Sequence, residues 1–239
     1  MEIKFHGHAC FELSDGSTTV LVDPFLKPNN PKAVATADEV EPTHIAISHG
    51  HADHIADAVP VATRTGAHCV AIVEIAVWLG TQGVEEDKRS DPNLGGIVEF
   101  DWGWVSLVPA WHTSTIPGSS ELPMSAEHGI PIGTAAGLLI NIDGKTVYHA
   151  GDTCLFSDMK LIAQRSPVDV ALLPIGGHYT MDRRDAVFAA EFVEAGTVIP
   201  MHYDTFPPIE TDAEQFKSDV EAKTSSKVTI LAPGESHTT

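Results

Sequence analysis

The chain has 239 residues, 43% hydrophobic and 20% charged, which is enough to bury a sizeable core and reads as one domain over 1–239. Acidic residues outnumber basic ones, 33 to 14, for a net charge of −19, so the surface repels polyanions and nucleic acid is a poor partner. Cys10, Cys69 and Cys154 are scattered with no C-x-x-C spacing, which excludes a disulfide framework and a thiolate zinc knot.

Taken in order, Ile3 to Leu13 and Thr18 to Val22 read as a β-rich pair around the turn Ser14-Asp15-Gly16-Ser17. Residues 27 to 42 read as a surface loop, and Thr43 to Ser48 as a strand. Asp57 to Thr65 reads as a helix with Asp57 as cap, Pro60 in the first turn and Gly66 as stop. Cys69 to Val73 is a predicted strand and Glu74 to Leu79 a short helix. A hairpin follows, Gly96 to Phe100 and Trp104 to Ala110, delivering Trp111-His112. Ser114 to Gly133, rich in proline and glycine, has the character of a lid or substrate wall. Ala136 to Ile142 and Thr146 to Ala150 make a third hairpin, ending in His149-Ala150-Gly151-Asp152-Thr153. Asp158 to Gln164 is predicted helical, Val168 to Pro174 a buried strand, and 175 to 179 a glycine-rich loop. Asp182 to Ala195 is an amphipathic helix stopped by Gly196, Thr197 to Met201 a strand ending at His202, Asp212 to Glu221 a helix and Val228 to Ala232 a strand.

The densest chemistry lies in Ser48-His49-Gly50-His51-Ala52-Asp53-His54, three imidazoles and a carboxylate within six positions behind the apolar run Ile45-Ala46-Ile47. In an extended turn His49 and His51 point to one side, so both can close on one ion. Asp53 and His54 fall past the bend and suit a second ion. Zinc, manganese or iron accepts such donors. His49, His112, Asp152, His178 and His202 each follow the carboxyl end of a predicted strand, where ligand sites form in layered α/β folds. Asp23, ending a strand before Pro24, is placed to accept a hydrogen bond from a ligating imidazole, and His8 and His149 to support that shell or the substrate wall. His6, His44, His68, His128 and His237 are read as structural or solvated, and Trp102, Trp104 and Trp111 as core or pocket wall. Arg183 and Arg184 are the nearest bases to the rim, on a solvated helix face. An amino terminus without signal-peptide zones, and no apolar run of spanning length, give the expectation of a cytoplasmic protein without a membrane partner.

The H-x-H-x-D-H cluster at 49–54, the lone His112, the Gly151-Asp152-Thr153 turn and the late His202 together resemble the metallo-β-lactamase-fold hydrolases. Phe5-His6-Gly7-His8-Ala9-Cys10-Phe11, Leu21-Val22-Asp23-Pro24 and 174–181 further resemble a subgroup of metal-dependent hydrolases related to L-ascorbate-6-phosphate lactonases and, more distantly, to phospholipases acting on N-acyl phosphatidylethanolamine. The resemblance implies an αββα four-layer sandwich, two mixed sheets face to face with helices outside. It also implies two divalent metal ions, zinc first and manganese as the alternative. His49, His51 and His112 would hold one, Asp53, His54 and His202 the other, and Asp152 would bridge them. The expected reaction is attack by a metal-activated hydroxide on a small ester or lactone, phosphorylated or not, with homo-oligomerisation left open. Asp53 would orient the nucleophile and carry a proton to the leaving group, and His178 would donate to the oxyanion. A phosphodiesterase with the same site, or a metal-binding protein without turnover, are the alternatives.

Overall fold

The computed structural model describes residues 1–117 and 129–239. Strands β1 (Glu2–Gly7), β2 (Cys10–Ser14) and β3 (Thr19–Val22) form an antiparallel meander. β4 (His44–Ala46) then joins in parallel and is followed by helices α1 (Ala52–Ile55) and α2 (Ala58–Thr65). β5 (His68–Val70), α3 (Val73–Thr81) and β6 (Arg89–Ser90) complete this half. The second half opens with the hairpin β7 (Ile97–Phe100) and β8 (Gly103–Pro109), then a two-stranded ribbon of β9 (Thr115–Ile116) and β10 (Ile130–Pro131). It continues through β11 (Ala136–Ile142), β12 (Lys145–His149), α4 (Met159–Arg165), β13 (Val170–Pro174), α5 (Arg183–Val193) and β14 (Thr197–Met201). Helix α6 (Ala213–Lys223) leads to β15 (Lys227–Val228) and β16 (Ser236–Thr238).

Two seven-stranded mixed sheets result, ordered β16-β1-β2-β3-β4-β5-β6 and β15-β14-β13-β12-β11-β8-β7. Side-chain alternation along a strand decides the layers. Leu138, Ile140 and Ile142 of β11, Val170 and Leu172 of β13, and Ile199 of β14 join the core shared with the first sheet. Their neighbours Leu139, Ala171, Leu173 and Val198 face the other way, into a core with Met159, Ala186, Ala190 and Phe216 of α4–α6. Strands clothed on both faces need no polar alternation, and β13 is buried throughout. The expected four-layer sandwich is therefore the observed fold.

Several local readings are corrected. Residues 3–13 are two strands: the chain turns at His8-Ala9, where Gly7 and His8 take φ of 112° and 61°. Asp53 and His54 sit on the one-turn helix α1, which the extended-turn reading did not include. Asp57 does not cap α2; its carboxylate accepts from Leu26 N (2.6 Å) and Asn29 Nδ2 (2.9 Å), tying down the loop at 27–42. Helix α5 stops at Glu194, itself left-handed at φ 53°, before Gly196 is reached. The strand expected over 228–232 is shorter and earlier, β15, and a further strand, β16, follows it and pairs with β1. The lid reading of 114–133 falls partly on residues outside those described, as does His128; the flanks of that segment pair as β9 and β10.

Candidate metal centre

The carboxyl-end rule places five site loops on one rim: β4 ends three residues before His49, β8 three before His112, β12 three before Asp152, β13 four before His178, and β14 directly before His202. Local backbone accommodates this in unusual ways. His8, Asp23 and His202 all adopt left-handed φ, at 61°, 47° and 54°, a strain that concentrates at functional sites. Gly151 turns the chain into Asp152 at φ +61°, and a Cβ there would lie 2.6 Å from Ala136 O, so only glycine fits.

Four of the other six predicted donors stand close to Asp152, with His51 grouped beside His49 and His112 and Asp53 beside His54 and His202. His202 Nε2 stands 3.0 Å, His112 Nε2 3.5 Å and His49 Nε2 3.9 Å from Asp152 Oδ2, while His54 Nε2 stands 3.3 Å from Oδ1. Among the described residues three groups of potential ligand atoms form: His49 with His51 and His112; Asp53 with His54, His202 and His8; and, behind these, Asp23 with His49 and His54. Nε2 of His54, Nε2 of His202 and Oδ1 of Asp152 are buried without a hydrogen-bonding partner. Buried polar atoms left unpaired are costly, so such a cluster of lone pairs calls for a cation. Five imidazoles and two carboxylates fit divalent zinc or manganese in donor type.

Asp23 sets the ring states. It accepts from Ser48 N (2.8 Å) and Ser48 Oγ (2.6 Å), and from His54 Nδ1 at 2.8 Å. Because the Ser48 hydroxyl spends its proton on Asp23, His49 Nδ1, 3.0 Å away, must donate to Ser48 Oγ. One carboxylate thereby holds a proton on Nδ1 of both His49 and His54, so Nε2 is the atom each ring would present to a metal, as outer partners of metal-binding imidazoles arrange.

Electrostatics follow from burial and proximity. Burial pushes His49, His51 and His112 down, keeping them neutral. Burial opposes charge on His54 too, yet Asp152 and Asp23 outweigh it and raise this ring well above the ordinary value. Asp152 is held well below the usual carboxylate range: burial works against ionisation, and His202 and His54 overcome it.

Not every prediction lands in the site. His178 is exposed, packs edge-on against Tyr179 at 4.4 Å, and is not among the residues lining the cavity; Tyr179 takes that place. His149 donates to Ala9 O (2.8 Å) and accepts from Gly151 N (3.1 Å), so it shapes the turn before Asp152 and builds no substrate wall. Trp111 is 67% exposed and fills no core. Trp102 donates to His44 Nε2 at 3.1 Å, far from the cavity, and Arg183 pairs with Asp219. Ser48, Thr205, Phe206 and Pro208 carried no signal of their own. The cavity is about 540 Å³, lined by His51, Asp53, His112, Thr113, Asp152 and His202 with Tyr179, Phe206 and Pro208 at its mouth.

A layered α/β sandwich with a histidine–aspartate cluster on its rim defines a class of metallohydrolase folds, and sequence comparison agrees. Residues 2–202 match the family described as beta-lactamase superfamily domain. UPF0173 metal-dependent hydrolases are similar throughout: that of Methanopyrus kandleri is 45% identical over 238 residues, 99% of each chain, and that of Pelotomaculum thermopropionicum 45% over 236, again 99% of each. The solved structure of Igni18, a metallo hydrolase from Ignicoccus hospitalis, superposes with a TM-score of 0.83 at 36% identity, covering 99% of this chain and 97% of that one. An isothiocyanate hydrolase from Delia radicum gut bacteria shares the fold, with a TM-score of 0.73 at 21% identity, 100% of this chain and 99% of that one. The chain thus belongs to the metallo-β-lactamase superfamily, among the UPF0173 metal-dependent hydrolases.

Proposed function

We propose that this enzyme hydrolyses a small ester or lactone at a dinuclear metal centre, with His49, His51 and His112 holding one ion, Asp53, His54 and His202 the other, and Asp152 between them. The observation that carries this reading is the approach of four imidazoles, from three separate segments of the chain, to the single buried carboxylate of Asp152. When bound, two divalent ions acidify a water between them and polarise the scissile carbonyl.

The chain's own groups supply the rest. Asp53 reaches the cavity wall and is held far below the usual carboxylate range, since the hydrogen bond from His8 and the nearby His54 overcome the penalty of burial. It therefore stays in its accepting form at neutral pH, suited to orient an attacking water and relay its proton to the leaving group. His112 and Thr113 form one cavity wall, and Tyr179, Phe206 and Pro208 frame the mouth through which substrate enters. In this role Tyr179, rather than His178, meets the substrate.

Purified protein reconstituted with zinc or with manganese, assayed on a lactone, an aryl ester and an aryl phosphodiester, tests the reading. It expects turnover of the carbonyl substrates that is lost in Asp152→Ala together with bound metal. Unchanged turnover in that variant would remove the reading's basis.

A further inference from the structure

Among the described residues, none of those lining the cavity is a lysine or an arginine. The sequence makes this more than a matter of side-chain pose: the described segments that carry the lining residues, 33–63, 90–117, 146–159, 166–182 and 185–216, contain no lysine or arginine. In sequence, residues 118–128 likewise contain no lysine or arginine. Four of the bases elsewhere are paired with acids, Arg64 with Glu41, Lys145 with Asp169, Arg183 with Asp219 and Lys223 with Glu191. Three carboxylates, Asp23, Asp53 and Asp152, meanwhile stand in or directly behind the cavity and offset most of the charge that two divalent ions would bring. An overall charge of −19 adds to the same field.

Sites that hold phosphate remote from the reacting bond use arginine forks, lysine or helix N-termini. The one-turn helix α1 begins nearby, and that turn carries Asp53. The mouth instead offers Tyr179, 53% exposed and propped edge-on by His178, with Phe206 and Pro208. Such a frame suits a flat or short apolar group.

Resting on the reading of the site as an ester-opening hydrolase, we propose that it selects uncharged substrates: neutral esters or lactones whose aryl or short alkyl arm lies against Tyr179, Phe206 and Pro208. Phosphorylated lactones and phosphodiesters are the compounds it rejects.

The test uses two aryl esters that differ only in a phosphate monoester on the aryl ring. The metal-loaded protein should favour the neutral ester by about tenfold or more in kcat/KM, a gap that narrows at high salt as screening weakens repulsion. Pro208→Lys should narrow it further. Tyr179→Ala should raise KM for the neutral aryl ester about tenfold while changing the corresponding methyl ester little. Independently of turnover, calorimetry with non-hydrolysable amides of the two arms should detect binding of the neutral one alone, in metal-free as in metal-loaded protein. Equal or better turnover and binding of the phosphorylated compound would overturn the proposal. If neither ester is turned over, the ester-opening reading fails, and the amide titration still decides the charge preference of the cavity.

Discussion

His8 Nε2 lies 3.1 Å from Asp53 Oδ2, joining residues 45 positions apart, and its Nδ1 lies 2.9 Å from Thr205 Oγ1. The ring is buried and, by that burial and the neighbouring His202, pushed down to about 4, so it is neutral at physiological pH. The ionised Asp53 carboxylate can only accept, so the neutral ring carries its proton on Nε2 and donates it to Asp53, leaving Nδ1 to accept from the Thr205 hydroxyl. His8 is thereby the residue that fixes the Asp53 carboxylate.

Removing that donor should loosen Asp53. Hydrogen bonds to a charged group contribute about 1.5–3 kcal/mol, so His8→Ala should weaken one of two bound metals by roughly 10–100-fold. Thr205→Val, which only frees the tautomer, should have a smaller effect. Competition with a calibrated chelator measures both affinities, and equal loss at both metals would contradict the placement.

Asp23 touches neither the cavity nor any proposed metal, yet it orders His54 directly and His49 through Ser48. Asp23→Asn keeps the shape and loses the acceptor strength. The expected result is a drop of about 10–100-fold in metal affinity with an unchanged far-ultraviolet circular dichroism spectrum.

The metal-free protein should lose stability in acid. Above pH 6.5 His8 is neutral whether folded or unfolded; between 6.5 and about 4 the unfolded chain takes up a proton that the folded chain refuses. Stability therefore falls with falling pH across that window, by about 3 kcal/mol from His8 alone at 1.36 kcal/mol per pKa unit. His49, His51, His112 and His149 act in the same direction. His54, raised instead, contributes stability that is present below 6.5 and lost as pH climbs through its folded value. Urea midpoints against pH should show a maximum between these limbs, and His8→Gln should flatten the acid one.

Gly151→Ala should act on the site through backbone alone. The added Cβ meets Ala136 O at 2.6 Å in a left-handed conformation, a strain of about 1–3 kcal/mol that the Asp152 turn can relieve only by moving. A lower melting temperature together with reduced metal content is expected; a lower melting temperature with full metal content would separate the turn from the site.

How legible these features were depends on their range in sequence. His49 to His54 were readable because four donors crowd six positions, and their meaning needs no tertiary contact. His112, Asp152 and His202 could be found only as strand-end residues supported by family resemblance, since nothing local says that their strands converge. His8 was readable as a supporting ring but its placement was not, because Ile3, Phe5 and Phe11 keep an apolar pattern that masks the turn at Gly7-His8. His178 shows the limit of the same rule: its loop was correctly placed, but a left-handed φ of 56° turns the side chain outward and gives the cavity to Tyr179. The stop of α5 at Glu194 was equally unreadable, because a glutamate in a left-handed conformation carries no local signal.

The claim of two ions around Asp152 is tested most directly by titrating metal into chelator-stripped protein while recording bound metal and turnover of a neutral aryl ester together. Turnover should rise to its maximum only as the second equivalent binds. Full turnover at one equivalent, or in protein stripped of metal, would contradict the dinuclear account.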